Sequence, residues 1–248
     1  MSLGDLMVAF FSYYAVLVYL GLTAVTLYFA ALWFVSWAPL VVAAIFAMLA
    51  YPLAWYVLHR WVLHSQILYR SPLTAAVWKR IHFDHHQDPH NLVVLFGALY
   101  TTIPTIALVT MPIGYWIGGP AGAATAFAFG LLSTVFYEFS HCVQHLNTTP
   151  KSSYMRQIKK LHMAHHFHDE NGNFGITNFI WDRLFGTYYA EPKLRPKSAT
   201  VFNIGYTEEM AQRYPWVANL SKGTRGDANP RRFRSESTAP DAPSRAGR

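Results

Sequence analysis

The chain has 248 residues, of which 52% are hydrophobic and only 13% are charged. Disorder over most of the length is excluded, because disordered chains are poor in apolar residues and rich in charge. A single cysteine excludes a disulfide scaffold. A charged fraction about half that of an average soluble domain argues against an ordinary soluble globule. Histidine is the unusual component, with 12 residues against 13 of aspartate plus glutamate.

Two long blocks contain no charged residue, one between Asp5 and Arg60 and the other between His90 and Glu138. A helix needs about 20 apolar residues to cross a hydrocarbon core, so each block is long enough for two crossings. Proline and glycine interrupt each block near its middle, which indicates a helix break. The blocks therefore predict an all-α integral membrane protein with four transmembrane helices in two hairpins, near residues 6–34, 40–62, 92–111 and 121–145.

The basic residues predict the orientation. All 20 lysines and arginines lie at 60–80, at 151–160 or from 183 onward, and the short loops within the two blocks have none. The positive-inside rule then places both termini and the basic segments in the cytoplasm. The short chain favours a bacterial protein, so the inner membrane is the expected location. The net charge of +7 is explained by this topology and by attraction of the basic segments to anionic lipid headgroups. No nucleic-acid partner is expected.

The N-terminus lacks a basic signal-peptide region, so a permanent anchor is predicted. Buried helices in a soluble protein are the disfavoured alternative.

Each predicted hairpin is followed by two histidine motifs on the predicted cytoplasmic side. The four motifs read HxxxxH, HxxHH, HxxxH and HxxHH, and they contain His59, His64, His82, His85, His86, His141, His145, His162, His165 and His166. Residues three or four apart share a helix face, which lets the members of the last three motifs point together. His59 and His64 lie about 140° apart on an ideal helix. They can converge only at a bent helix end or from two sides of a pocket.

This pattern predicts a metal site. Imidazole suits iron, zinc and copper, and ten histidines exceed what one metal uses, so two metals are implied. A pH sensor or an adventitious histidine tract needs no repeated spacing. Carboxylate di-iron bundles use paired Glu-x-x-His motifs, and only Glu138 with His141 matches. What remains is a nearly carboxylate-free dinuclear centre, with iron for dioxygen chemistry or zinc for hydrolysis.

Other residues near the motifs have two possible roles each. Five are candidates for hydrogen bonds to ligand imidazoles or, alternatively, for structural or surface roles: His90, His168, Glu138, Asp84 and Asp169. The Asn171–Asn173 run predicts a turn. Asp182 and Arg183 are expected to support structure, and Cys142 to pack. Four aromatic residues fit an interfacial belt better than a lipid entrance: Trp181, Phe185, Tyr188 and Tyr189.

The order of the motifs resembles the fatty acid hydroxylase and sterol desaturase superfamily of membrane di-iron enzymes. The likeness covers about residues 55–190 and is closest to the fatty acid 2-hydroxylases. It includes further positions around and after the last motif: Met155, Lys159, Lys160, Asn173, Phe174, Gly175, Trp181, Asp182, Leu184, Phe185, Gly186 and Thr187.

The resemblance implies an oxidoreductase with four membrane helices and a cytosolic cap, in which the ten motif histidines hold two iron ions. No catalytic residue beyond these ligands and no other cofactor site is expected, and zinc could replace iron after purification. Dioxygen is the implied co-substrate, and a separate ferredoxin- or cytochrome-type protein supplies electrons. The expected reaction is hydroxylation of a fatty acyl chain. Alternatives are hydroxylation of a carotenoid ring or another isoprenoid or sterol-like lipid, desaturation by the same centre, and a zinc-dependent membrane hydrolase.

The predicted organisation has three parts. Residues 1–190 form the membrane hydroxylase domain with its histidine-rich cap. Residues 191–220 form a C-terminal cytosolic extension. Residues 221–248 are rich in serine, arginine, proline, alanine and glycine and are expected to be a disordered basic tail. The sequence makes no prediction of the oligomeric state.

Overall fold

A computed structural model describes residues 3–221. Within this range all regular elements are helical, as predicted. Three helices there are long and apolar enough to cross a membrane, namely Tyr14–Leu32, Trp37–Leu63 and Val93–His145. The predicted tail, apart from Ser221, lies outside the described residues.

The helices are numbered in chain order. They are α1 (Leu3–Phe11), α2 (Tyr14–Leu32), α3 (Trp37–Leu58), α4 (Pro72–Trp78), α5 (Asp84–Gln87), α6 (Leu92–Leu95), α7 (Leu99–His145), α8 (Ser153–Phe167), α9 (Ile180–Leu184), α10 (Glu208–Arg213) and α11 (Trp216–Leu220). Two π-helical turns, His59–Leu63 and Lys79–Phe83, follow α3 and α4, and a 3-10 turn covers Pro192–Leu194.

The first hairpin consists of α2 and α3, joined by a short connection at residues 33–36. The prediction of one helix near 6–34 is wrong, because the chain breaks between α1 and α2. Leu6 and Phe10 of α1 are buried in the main core, and Tyr13 stacks on Phe96 with ring centroids 4.0 Å apart. Packing of α1 against Phe96 and against Phe139 in the second arm of α7 therefore replaces a longer continuous helix.

The second hairpin is contained within α7. Gly118 and Gly119 have non-helical backbone angles, and Gly119 has φ of 59°, a conformation that glycine adopts without steric cost. The turn thus lies within the predicted interruption between residues 111 and 121, and the first arm of α7 continues past Pro112 to these glycines. A Cβ atom on Gly114 would lie 2.5 Å from Cβ of Ala126. The two arms of α7 therefore pack antiparallel and in close contact near the turn.

The predicted start of the third long helix is also interrupted. The short α6 ends at Leu95, and Phe96 is extended with ψ of 141° before α7 begins at Leu99. Gly97 donates its N–H to Oε1 of Glu138 at 2.9 Å. This break brings the backbone of residues 96–98 against the second arm of α7, beside the histidine cluster.

The remaining helices form a cap at one end of the long helices. Its core contains Tyr69, Trp78 and Phe83 from the segment after α3, together with Tyr206 and Val217 from the C-terminal part. The C-terminal extension therefore shares a buried core with the first half of the cap. This packing holds the two π-helical turns and the first HxxHH motif in place, because Phe83 of this core lies within the motif.

Candidate metal centre

A π-helical turn brings the first two motif histidines together. In this turn the N–H of His64 donates to the carbonyl of His59 at 3.0 Å, an i→i+5 bond that places residues five apart on one face. Their Nε2 atoms lie 3.2 Å apart. The 140° separation expected for an ideal α-helix is thus removed by local widening of the helix.

The ten motif histidines are gathered into two adjoining groups. The ligand atoms of each group lie within 4.8 Å of one another: His85, His141, His145, His162 and His166 form the first group, and His59, His64, His86 and His165 form the second. His82 completes the second group, with ring centroids 5.0, 4.6 and 4.7 Å from His59, His64 and His86. The groups meet at His86 and His166, whose ring centroids are 4.2 Å apart.

In each HxxHH motif, the middle one of the three histidines belongs to a different group from the other two. The first HxxHH motif places His82 and His86 beside His59 and His64 but sends His85 to the first group. The second HxxHH motif behaves reciprocally. His162 and His166 join the first group, and His165 crosses to the second. Each group therefore depends on both halves of the chain.

The electrostatics favour neutral rings. Burial, followed by the neighbouring imidazoles, lowers the pKa well below its usual range in His64, His82, His85, His162, His165 and His166. Burial lowers the pKa of His86 to about 3. These rings are therefore neutral at neutral pH, which is the state in which imidazole binds a metal.

The donor set fits metal ions. Seven motif histidines carry a buried ring nitrogen without a hydrogen-bond partner among the described residues: His82, His85, His86, His145, His162, His165 and His166. Such groups are costly to bury unless a ligand satisfies them, and the unpartnered atoms are Nε2 in His82, His86 and His165 and both ring nitrogens in His85. Nε2 of His145 lies 3.0 Å from that of His141 and 2.7 Å from that of His162. Nitrogens sharing one metal at about 2.1 Å lie about 3.0–3.4 Å apart, a spacing that the first pair has and the second pair falls below.

Backbone carbonyls accept hydrogen bonds from the outer nitrogens. Nδ1 of His59 donates to the carbonyl of Phe174 at 2.7 Å, and Nδ1 of His165 donates to the carbonyl of Gly172 at 2.8 Å. Nδ1 of His86 lies 3.3 Å from another carbonyl, that of Val201. These bonds orient the rings. The predicted turn after the second HxxHH motif was the only sequence signal for this role.

The two aspartates proposed as acceptors are bonded elsewhere. Asp84 forms an ion pair with Lys79 at 2.7 Å across the second π-helical turn. Asp169 pairs with Arg195 at 2.7 Å. Each carboxylate is therefore paired with a cation, which agrees with the alternative structural role and not with a contact to a ligand imidazole.

The two remaining histidines lie outside both groups. Nδ1 of His90 donates to the carbonyl of His145 at 2.7 Å, at the C-terminus of α7. Nε2 of His168 donates to the carbonyl of Arg195 at 2.8 Å. Both side chains satisfy backbone acceptors, and neither joins the metal-binding groups.

Glu138 is buried in the wall of the histidine cavity, with 3% of its surface exposed. Its Oε1 accepts the N–H of Gly97, while Oε2 has no hydrogen-bond partner among the described residues. A hydrogen bond from Glu138 to a ligand imidazole, one of its two predicted roles, is therefore not formed among the described residues.

Asp182 anchors the loop that supplies two of the carbonyls. It is fully buried, and its carboxylate accepts the N–H groups of Phe174 and Gly175 at 2.8 and 2.9 Å and the Thr187 hydroxyl at 2.8 Å. Burial raises the pKa of this carboxyl, while those hydrogen bonds oppose the shift. Its predicted structural role therefore extends to the orientation of His59.

Lys159 docks α8 against the end of α7. Its Nζ donates to the carbonyls of Val143, Leu146 and Thr148 at 3.1, 2.7 and 2.8 Å. A cation at a helix C-terminus is electrostatically favourable. Since α8 carries three motif histidines, this contact sets their position relative to His141.

The aromatic residues after the last motif have different roles. Tyr189 is buried and donates to the carbonyl of Asp169 at 2.6 Å, so its placement in an interfacial belt is wrong. The guanidinium of Arg183 lies 3.7 Å from the Tyr188 ring centroid. Phe185 is exposed at 41%. Cys142 lies in the main core, as predicted.

An apolar cavity of about 80 Å³ adjoins both histidine groups. Its walls include Trp55, Tyr137 and Ile176 together with His82 and His141. The cavity exposes the histidines to an apolar space rather than to bulk water. Such a site can hold metals and place a lipid carbon beside them.

Comparison with known proteins gives consistent matches. The sequence profile of the fatty acid hydroxylase family matches residues 44–187. The chain is 30% identical to fatty acid 2-hydroxylase of Rattus norvegicus, over 61% of this chain and 41% of the relative. It is 31% identical to dihydroceramide fatty acyl 2-hydroxylase FAH1 of Arabidopsis thaliana, over 60% of each chain. It is 33% identical to ceramide very long chain fatty acid hydroxylase SCS7 of Saccharomyces cerevisiae, over 54% of this chain and 34% of the relative.

A solved structure shares the architecture. Full-length scs7p, of which only the hydroxylase domain is visible, superposes with a TM-score of 0.62 at 25% identity. The match covers 73% of this chain and 67% of that chain. The chain spans 41%, 60% and 34% of the length of these three curated relatives. Residues 44–187, which the family profile matches, contain all four histidine motifs.

Proposed function

Because the chain belongs to the fatty acid hydroxylase family, we propose that it is a membrane-bound, dioxygen-dependent enzyme that hydroxylates an unactivated C–H bond of a fatty acyl chain. The single observation that carries this proposal is the pair of buried histidine groups beside an apolar cavity. The names of the relatives, which refer to fatty acids and ceramides, support an acyl lipid as substrate.

The proposed cofactor is a pair of iron ions. The first ion would be held by the first histidine group and the second by the second group with His82. Imidazole suits iron and zinc alike, so zinc is the expected substitute in a purified form. The ten ligands are neutral, which leaves the positive charge of the metals largely uncompensated.

The chemistry that two iron ions would supply here is reductive activation of dioxygen and removal of hydrogen from carbon. One oxygen atom enters the C–H bond and the other leaves as water, which requires two electrons and two protons. We propose that a separate ferredoxin- or cytochrome-type protein delivers the electrons.

The residues of this chain orient the metal ligands and position the substrate. The carbonyls of Gly172 and Phe174 orient His165 and His59. The apolar walls at Trp55, Tyr137 and Ile176 keep water away and hold the substrate carbon near the metals. The carboxyl of Glu138 is available to hydrogen-bond the polar end of the lipid.

We propose four membrane crossings, formed by α2, α3 and the two arms of α7, with the cap in the cytoplasm of a bacterium. The turn at Gly118 and Gly119 supports two crossings for the 53-residue apolar helix. A cytoplasmic reporter fused after Arg248 is expected to be active. Activity of a periplasmic reporter at that position instead would reverse the orientation.

The function is tested with the purified protein in vesicles, reconstituted with iron, a chemical or protein reductant and ¹⁸O₂. The expected product is an acyl chain that gains one labelled oxygen atom, detected by mass spectrometry. Loss of two hydrogens would indicate desaturation, and activity without dioxygen or reductant would indicate a hydrolase. A labelled carotenoid or sterol-like product with unchanged acyl lipids would replace the acyl chain as substrate.

A further inference from the structure

A lipid-facing groove lies between α3 and the second arm of α7. It has a volume of about 460 Å³, and its lining includes Tyr51 and Pro52 of α3 and Ser133 of α7. Two large apolar side chains of its lining are exposed, Met48 at 45% and Phe136 at 58%. The groove therefore opens toward the surroundings of the long helices.

A narrow neck connects this groove to the histidine cavity. The neck and the groove share Pro52, Thr177 and Asn178. The neck and the cavity share three other residues, Trp55, Tyr137 and Ile176. Its volume is about 10 Å³, which is at most the space of one water molecule. The three spaces form one path that is closed at the neck.

Aromatic rings form the closure. Trp55 and Tyr137 stack with centroids 5.6 Å apart and an angle of 26° between the rings. Tyr51 in the groove contacts Trp55, and Tyr137 lies 6.0 Å from His141 in the cavity. These rings therefore run from the groove to the metal-binding residues.

Helix α3, which lines the neck, lacks one backbone hydrogen bond next to it. Pro52 lies within α3, where a proline cannot donate the hydrogen bond to the carbonyl four residues earlier, that of Met48. Proline is a common cause of local helix bending. A small movement of α3 at this point would separate Trp55 from Tyr137.

The size of the cavity limits what it can hold. Its volume of about 80 Å³ is well below the roughly 300–1,000 Å³ of pockets that enclose drug-sized ligands. Only the reacting end of a lipid fits there. The rest of a long chain must extend out of the cavity.

The groove offers a continuous course for that chain. Phe129 lines both this groove and a second apolar groove that includes Val41 and Thr125. From Trp55 to Val41 the α3 axis rises by about 21 Å at 1.5 Å per residue. This is long enough for most of an extended fatty acyl chain.

We infer that the acyl chain of a membrane lipid enters laterally between α3 and the second arm of α7, and that Trp55 and Tyr137 form the gate. In the bound state the reacting carbon lies in the cavity, and the remaining chain lies along the groove in the direction of Val41. Closure of the gate around the chain keeps water from the metals. This inference rests on the proposed function, because it requires an acyl substrate.

Photolabelling of the wild-type protein tests the path without requiring turnover. The probes are dihydroceramides with a diazirine near the head, in the middle or at the end of the acyl chain, added to phosphatidylcholine vesicles. Labels are expected to move in order from Trp55 and Tyr137, through Ser133, to Val41. Labelling confined to Val94, which lines the cavity but neither the neck nor the groove, or labelling in no order along α3, would overturn the inference.

A pair of substitutions tests the same path by activity. Ser133→Trp fills the groove, whereas Ala24→Trp places the same side chain at an exposed position of α2 that lines none of the three spaces. We expect Ser133→Trp to lower kcat/KM about tenfold or more and Ala24→Trp to change it less than about twofold, with unchanged metal content in both. Equal activity of the two variants would refute the lateral path while the hydroxylase function stands. Absence of product from the wild-type protein would instead refute the proposed function, and the photolabels would still decide the path.

Discussion

Replacing Asp182 with asparagine should weaken one of the two metal centres more than the other. The carboxylate accepts three hydrogen bonds, from Phe174, Gly175 and Thr187. Asparagine keeps one oxygen and turns an NH₂ group toward a backbone N–H that needs an acceptor. The loop that carries the carbonyl partner of His59 would therefore lose its anchor.

The magnitude follows from the bonds that are lost. A hydrogen bond to a charged group contributes about 1.5–3 kcal/mol, and an unsatisfied buried N–H costs about 1–3 kcal/mol. We expect Asp182→Asn to lower the free energy of unfolding by about 2–4 kcal/mol. Loss of groups that orient a metal ligand typically reduces metal affinity about 10–100-fold. The affected ligands, His59 and His165, both belong to the second group.

Two measurements check this prediction. Metal content after dialysis against a chelator should fall from about two ions per chain toward one, as expected when loss of a group that orients a ligand weakens one centre. The thermal transition should also move to lower temperature. Asp84→Asn is the matched control, because its ion pair with Lys79 is partly exposed and is expected to contribute less than about 1 kcal/mol. Retention of both metals in Asp182→Asn, with a stability like that of the control, would refute the proposed role of the loop.

Three other substitutions probe separate features. His85→Ala should lower product formation at least about 100-fold and release metal from the first centre, whereas His168→Ala should stay within about twofold; equal activity of the two would remove His85 from the ligand set. Lys159→Met removes three hydrogen bonds to the end of α7, and a fall of several degrees in the thermal midpoint is expected; an unchanged midpoint would show that α8 docks without this lysine. Gly97→Ala places a Cβ 2.6 Å from Cγ2 of Thr102, which should cost about 1–3 kcal/mol. Adding Thr102→Ser removes the shorter of the two close contacts, the other being Oε1 of Glu138 at 3.0 Å, and should recover part of the lost stability; no recovery at all would contradict the steric role of Thr102.

The histidine spacing predicted which side chains cluster but not how they are divided between the two groups. His85 and His86 are adjacent in the sequence, yet the structure places them in different groups. The division depends on the direction each ring takes when the two halves of the chain pack together. No periodicity within one motif contains that information. Similarly, His59 and His64 share a face because the helix widens into a π-helical turn, which their five-residue spacing alone does not predict.

The sequence also did not identify the hydrogen-bond acceptors of the clustered histidine rings. Carboxylates were candidate acceptors for the outer imidazole protons, but Asp84 and Asp169 are paired with cations. The acceptors found for His59 and His165 are carbonyls. Every residue carries a carbonyl, so residue type cannot identify the one that a loop directs toward a ring.

A helical membrane protein, the family and the ten clustered histidines could all be predicted from the sequence. These features follow from local properties, namely the length of charge-free segments and the spacing of one residue type. The division of the histidines, the break at Phe96 and the narrow neck at Trp55 and Tyr137 became visible only in the packed structure. These features depend on contacts between residues far apart in the chain, whose geometry is fixed only when the helices pack.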